Sequence, residues 1–176
     1  VHQCDAPSIV AVVLDGVSGN TIQHNSNNGR GIALVNMIGV QVTGTNTVTS
    51  NAAGNKRGIY VEGGSGNTIS KNTVTGCSTG MLVQNSTMNV ISQNRFVTNS
   101  IGLNFVGTDD CMDQIKCNKF DGGAIGLLYD ASARTQSQSP TGNTWLNGVT
   151  VGARHLGNNV TVPQSVYQTP PNGITH

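Results

Sequence analysis

Charge and aromatic rings are both scarce: Asp, Glu, Lys and Arg make up 10% of the 176 residues, and Phe, Trp and Tyr only 4%. With a formal net charge of +1, no basic face for nucleic acid and no polybasic patch for anionic lipid can be read along the chain. No apolar run reaches the length of a bilayer span, so no membrane insertion is expected. Cys4, Cys77, Cys111 and Cys117 form no C-x-x-C pair, which removes the usual spacing of a structural zinc site. The histidines, His2, His24, His155 and His176, are scattered and show neither triad nor metal spacing. Low charge does not imply disorder here, because Val, Ile and Thr recur in short alternating runs separated by Asn and Gly. Many short strands joined by tight bends are expected, and no stretch carries helical periodicity.

What is present is a repeat. A glycine followed by an alternating triplet appears as Gly31-Ile32-Ala33-Leu34, Gly58-Ile59-Tyr60-Val61, Gly80-Met81-Leu82-Val83, Gly102-Leu103-Asn104-Phe105 and Gly126-Leu127-Leu128-Tyr129. The glycines are spaced 27, 22, 22 and 24 residues apart. In every triplet the first and third residues are apolar and share a strand face. Upstream of the glycines runs a second ladder: Ile69, Asn72, Val74; Ile91, Asn94, Phe96; Ile115, Asn118, Phe120. Each of these Asn residues lies eight positions before the next glycine of the triplet ladder: Gly80, Gly102 and Gly126. Gly-Asn-Thr recurs at Gly19, Gly66 and Gly142, the last leading to Trp145, which falls in the inward Ile column and is expected in the core or as a lid on the last coil.

A coil of about 22 residues leaves no room for a strand–helix unit but suits two or three short strands. Stacked coils would place equivalent residues one interstrand spacing apart, apolar on apolar inside and Asn on Asn at a bend. The expected fold is an all-β, single-stranded right-handed parallel β-helix. Residues 1–146 are assigned to its coils, with further coils expected upstream because the chain opens inside the repeat. Residues 147–176, with Pro163, Pro170 and Pro171, are expected to form an irregular, extended C-terminal cap.

The repeat, typified by Gly66-Asn67-Thr68-Ile69-Ser70-Lys71-Asn72-Thr73-Val74, resembles the right-handed parallel β-helix repeats of the pectin-lyase-like superfamily. The segment from Cys117 to Tyr129, continued by Gly142-Asn143-Thr144-Trp145 and Gly152-Ala153-Arg154-His155, resembles the end of such solenoids in large bacterial secreted or cell-surface proteins. The resemblance implies an extracellular or cell-surface location within a larger polypeptide or assembly. It is nearly silent on activity, since the superfamily includes lyases, hydrolases, epimerases and adhesins.

Function on a solenoid sits on outward faces and where the count breaks. Breaks fall around Asn51 to Arg57, at the acidic turn Thr108 to Asp113, and at Asp130 to Thr141. Asp109, Asp110 and Asp113 could gather oxygens for Ca²⁺, with Lys71, Arg95, Lys116 and Lys119 nearby as bases if the chain were a polysaccharide lyase. The simpler reading is a polar loop without metal, with Arg95 and Lys119 stacked outward after their ladder Asn residues. Arg30 and Arg57 precede successive glycines and could bind a glycan carboxylate or sulfate. Tyr60 lies between two inward residues, so it should point outward and could stack on a sugar. Cys111 and Cys117 would close a small disulfide loop in an oxidising compartment; the alternative is four reduced thiols.

No concentrated acid–base pair suited to glycoside cleavage is visible. The expected function is a non-catalytic structural or binding module without an obligatory cofactor, its partner a polysaccharide or another surface protein. The alternative is a polysaccharide lyase or hydrolase on the same scaffold.

Overall fold

The computed structural model describes residues 21–24, 30–50, 56–107, 113–130 and 142–156. Its strands, numbered along the chain, are β1 (Thr21–His24), β2 (Arg30–Val35), β3 (Gln41–Val42), β4 (Thr47–Ser50), β5 (Arg57–Glu62), β6 (Thr68–Ser70), β7 (Thr73–Thr75) and β8 (Thr79–Gln84). They continue with β9 (Val90–Ser92), β10 (Arg95–Val97), β11 (Ile101–Val106), β12 (Gln114–Lys116), β13 (Lys119–Asp121), β14 (Ile125–Tyr129), β15 (Thr144–Leu146) and β16 (Val151–His155).

Every third strand belongs to the same sheet through most of the chain, as a solenoid requires. The long sheet runs β2-β5-β8-β11-β14-β16, the middle sheet β1-β4-β7-β10-β13-β15 and the short sheet β3-β6-β9-β12. All pairings are parallel. Val42, Ile69, Ile91 and Ile115 stand in register in the short sheet. Val48, Val74, Phe96, Phe120 and Trp145 do so in the middle sheet. Equivalent residues are 22 apart between Ile59 and Met81 and 27 apart between Ile32 and Ile59, so the coil length varies around the expected value.

The inward residues of all three sheets form one core, to which Ile32, Leu34, Ile59, Val61, Met81, Val83, Leu103, Phe105, Leu127 and Tyr129 contribute from the long sheet. Its aromatic rings stack coil on coil: Phe96 on Phe120 at 5.2 Å between centroids, Phe120 on Trp145 at 6.0 Å, and Phe105 on Tyr129 at 5.3 Å. Trp145 is core as expected, but it stands opposite Phe120 in the middle sheet rather than in the Ile column of the short sheet, and its Nε1 donates to the Gly152 carbonyl at 2.6 Å.

The bend between the short and middle sheets explains the Asn ladder. Thr45, Lys71, Gln93 and Cys117 all hold positive φ, between 53° and 63°, and Gly142 takes the same role in the last coil. A left-handed non-glycine residue costs of order 1 kcal/mol, and the buried Asn that follows each one offsets it. Asn46, Asn72, Asn94 and Asn118 each donate from Nδ2 to the Oδ1 of the next Asn, at 2.8 to 3.0 Å, ending on Asn143. The same Oδ1 atoms accept the backbone N–H of Asn72, Asn94 and Asn118.

The coils extend further than the sequence count indicates. Asn147 and Gly148, both at positive φ, turn the chain after β15. Strand β16 then sets Ala153 opposite Leu127 in the core. The boundary expected at residue 146 therefore moves to His155. The rest of the expected cap, with its three prolines, lies outside the described residues.

Candidate functional site

The outward faces differ sharply. On the long sheet the outward file is Ala33, Tyr60, Leu82, Asn104, Leu128 and Arg154. Ala33, Tyr60 and Leu82 form a second, buried apolar cluster, with Val35 and Val106 packed against it. Tyr60 does point away from the main core, but it is 2% exposed and cannot present its ring to a sugar. Its hydroxyl donates to Gln84 Oε1 at 3.3 Å, and the Arg57 guanidinium lies 5.4 Å from the ring centroid. A two-residue period identifies the side of a sheet, not whether that side is covered. Arg30 and Arg57 pair across β2 and β5, so their backbones are one coil apart as expected. The Arg30 side chain lies outside the described set, and half-buried Arg57 is committed to Tyr60.

The acidic turn resolves differently from its reading as a metal cluster. Asp109, Asp110 and Cys111 lie outside the described residues. Asp113 is 1% exposed and belongs to a second ladder at the entry to the short sheet. There Asn67 donates from its backbone and from Nδ2 to Asn89 Oδ1 at 3.2 and 3.1 Å. Asn89 in turn donates to Asp113 Oδ1 at 2.7 Å from its backbone and 2.9 Å from Nδ2. Asp113 therefore takes an Asn position rather than an exposed ligand position. The sequence carries a signal for this: Asn67, Asn89 and Asp113 each fall five residues before a member of the first ladder. Cys117 is exposed with a free thiol, and its pairing with Cys111 falls outside the described residues.

The middle sheet presents a mixed face of Thr, charged and apolar side chains. Its outward pairs are Thr47 and Thr49, Thr73 and Thr75, Arg95 and Val97, Lys119 and Asp121, and Thr144 and Leu146. Arg95 reaches one coil onward to Asp121, with Nη2 at 2.5 Å from Oδ2, while Asn147 Nδ2 donates to Oδ1 at 2.9 Å. The hydrogen bond from Arg95, then that from Asn147, hold the Asp121 carboxyl below its ordinary range. Because the folded-state value is the lower one, this stabilisation is complete above about pH 4 and fades as pH falls through the folded value. Arg95 is half exposed, so Asp121→Asn should cost about 1 kcal/mol or less at pH 7. Thermal melts of the variant and parent should converge on acidification; a gap that stays constant down the pH scale would show that the carboxylate contributes nothing.

Three parallel sheets and two buried amide ladders define the class of protein: a parallel β-helix of the pectin-lyase-like type. Residues 8–161 match the family described as "Periplasmic copper-binding protein (NosD)", a family of right-handed parallel β-helices, and the chain belongs to it. No curated protein and no solved structure matches the chain.

The family description names copper, whose protein ligands are thiolates, thioethers and imidazoles. Among the described residues, Met81 is buried in the core. The Cys77 thiol is pushed up to about 11 by burial, against the opposing effect of Lys56. Cys77 is buried in the same core. Met88 and Cys117 are exposed, but they lie at opposite ends of the short sheet. No three His, Cys, Asp or Glu side chains are grouped to hold a metal among the described residues. Those residues do not fit copper.

Lys56 has no counterpart in the sequence reading. It falls in the first insertion, where a solvated loop is expected, yet it is fully buried, and its Nζ meets no hydrogen-bond acceptor among the described residues.

Proposed function

We propose that the chain is a non-catalytic binding module of the cell envelope whose flat polar faces engage carbohydrate. The observation that carries this reading is the allocation of polar groups. The carboxylate most suited to chemistry, Asp113, serves as a ladder acceptor inside the solenoid. What faces outward on the middle and short sheets is largely Thr, Ser and Gln, with Arg95, Lys116 and Lys119 among them, able to exchange hydrogen bonds with sugar hydroxyls. The family description supports an envelope setting. It also supports a second reading, copper binding, which would need donors outside the described residues. A shift in melting temperature on adding Cu⁺ or Cu²⁺, reversed by a chelator, would favour that reading.

The test of the main reading is retention on immobilised acidic and neutral polysaccharides, with product analysis of the same incubations. Binding with the polymer intact is expected. Unsaturated products absorbing in the ultraviolet, or new reducing ends, would replace the proposal with a lyase or hydrolase.

A further inference from the structure

Four of the nine Lys and Arg residues, Lys71, Arg95, Lys116 and Lys119, are separated by up to 48 positions in the sequence but converge on one bend of the solenoid. Each lies within two residues of a ladder Asn: Lys71 directly before Asn72, Arg95 directly after Asn94, and Lys116 and Lys119 on either side of Asn118. The hydrogen-bonded Asn column stacks these positions. Arg95 and Lys119 are register partners in the middle sheet, and Lys116 pairs with Ser92 in the short sheet. Lys71, Arg95 and Lys119 are exposed, and Lys116 is partly so, with its Nζ donating to Gln114 Oε1 at 2.6 Å. Asp121 is the one described acid at this bend and is already paired with Arg95. Glu62 and Asp130 lie at the long-sheet strands, and Asp113 is buried in its own ladder.

From this juxtaposition we infer that the bend between the short and middle sheets is a binding surface for an anionic polysaccharide lying along the solenoid axis. The inference rests on the carbohydrate-binding reading and specifies its site and ligand class. Cations occupy three successive coils, each about 4.8 Å from the next, which is roughly the length of a sugar unit in an extended chain. A polymer with one carboxylate or sulfate per sugar can thus meet Lys71 and Lys119 two coils apart, with Arg95, already paired with Asp121, between them. Thr73, Thr75, Ser70, Ser92 and Gln93 lie alongside as partners for hydroxyl groups. The strip is too short to track duplex phosphates over a helical turn. Its neighbouring rings, Phe96 and Phe120, face the core and offer nucleic acid bases nothing to stack on.

The experiment compares the full chain with two variants matched in charge: Lys71→Gln/Lys119→Gln at the bend, and Arg57→Gln/Arg154→Gln on the long sheet. Binding to polygalacturonate, to neutral dextran and to phosphatidylserine vesicles is measured over a range of salt. The parent should bind polygalacturonate with an affinity that falls as salt rises. The bend variant should bind about fivefold or more weakly, and the control within about twofold of the parent. Equal losses in both variants would overturn the site. Binding to dextran but not polygalacturonate would overturn the ligand class and leave the carbohydrate reading standing. Preference for the vesicles would replace the polysaccharide with a lipid surface. Binding to neither polymer would end both readings.

Discussion

Asn94→Ala is expected to cost about 3–5 kcal/mol, far more than an ordinary polar truncation. The Asn94 side chain makes four buried hydrogen bonds. Its Oδ1 accepts from Asn72 N and Asn72 Nδ2, both at 3.0 Å, and its Nδ2 donates to the Ile69 carbonyl at 2.9 Å and to Asn118 Oδ1 at 3.0 Å. Alanine leaves the Asn72 backbone N–H without its acceptor at a bend already held at positive φ by Lys71. Buried groups orphaned in this way cost about 1–3 kcal/mol each. Asn94→Asp is the informative companion. It keeps the acceptor facing Asn72 but sets an oxygen against the Ile69 carbonyl and Asn118 Oδ1, so at pH 7 it should destabilise about as much. Urea unfolding at constant m-value measures both variants. A loss below about 1 kcal/mol for alanine would reduce the ladder to a surface ornament.

Gly102→Ala is expected to destabilise by about 3 kcal/mol or more, although it adds a single methyl group. A Cβ there would stand 2.4 Å from Phe120 Cδ1 and 2.6 Å from the Gly126 carbonyl oxygen. A flexible side chain can shift, but the carbonyl belongs to the next strand of the long sheet and is fixed by its ladder. Gly58, Gly80 and Gly126 face the next coil in the same way, each with a carbonyl at 2.6, 2.5 and 2.7 Å respectively. The glycine file thus exists because backbone passes close to backbone where the coil turns into its longest strand. Gly39→Ala is the control. Its φ is 69° but nothing lies within 4 Å of a Cβ, so only the backbone penalty of about 1 kcal/mol applies. Equal melting temperatures for the two alanine variants would contradict this account.

The regular part of the solenoid was legible because stacking imposes one requirement on each column. Ile69, Ile91 and Ile115 must be apolar, and Asn72, Asn94 and Asn118 must both give and accept a hydrogen bond, so the period survives in the letters. Burial of the outward stripe was not legible. Tyr60 and Leu82 alternate with inward residues as any half-exposed strand would, yet they pack with Ala33, Val35 and Val106 in a buried cluster of their own. Asp113 was hidden by its neighbours: next to Asp109 and Asp110 it reads as a ligand, while its five-residue distance from Asn118 marks it as a ladder residue. Lys71, Arg95, Lys116 and Lys119 were legible as a group on neighbouring coils, but as bases for a lyase. Their alignment along one bend emerges only after the coils are wound.

The first ladder also has a direction. Each side-chain amide hands its hydrogen to the coil that follows, from Asn46 through Asn143, so the amide dipoles are aligned head to tail and polarise one another along the column. Such a column is chemically unequal in its two directions: toward the C-terminus each coil receives an N–H, and toward the N-terminus each coil receives an oxygen. A carboxylate can receive from the coil before but has no hydrogen to pass on, so Asp113 closes the amide relay begun at Asn67 in the direction of the C-terminus.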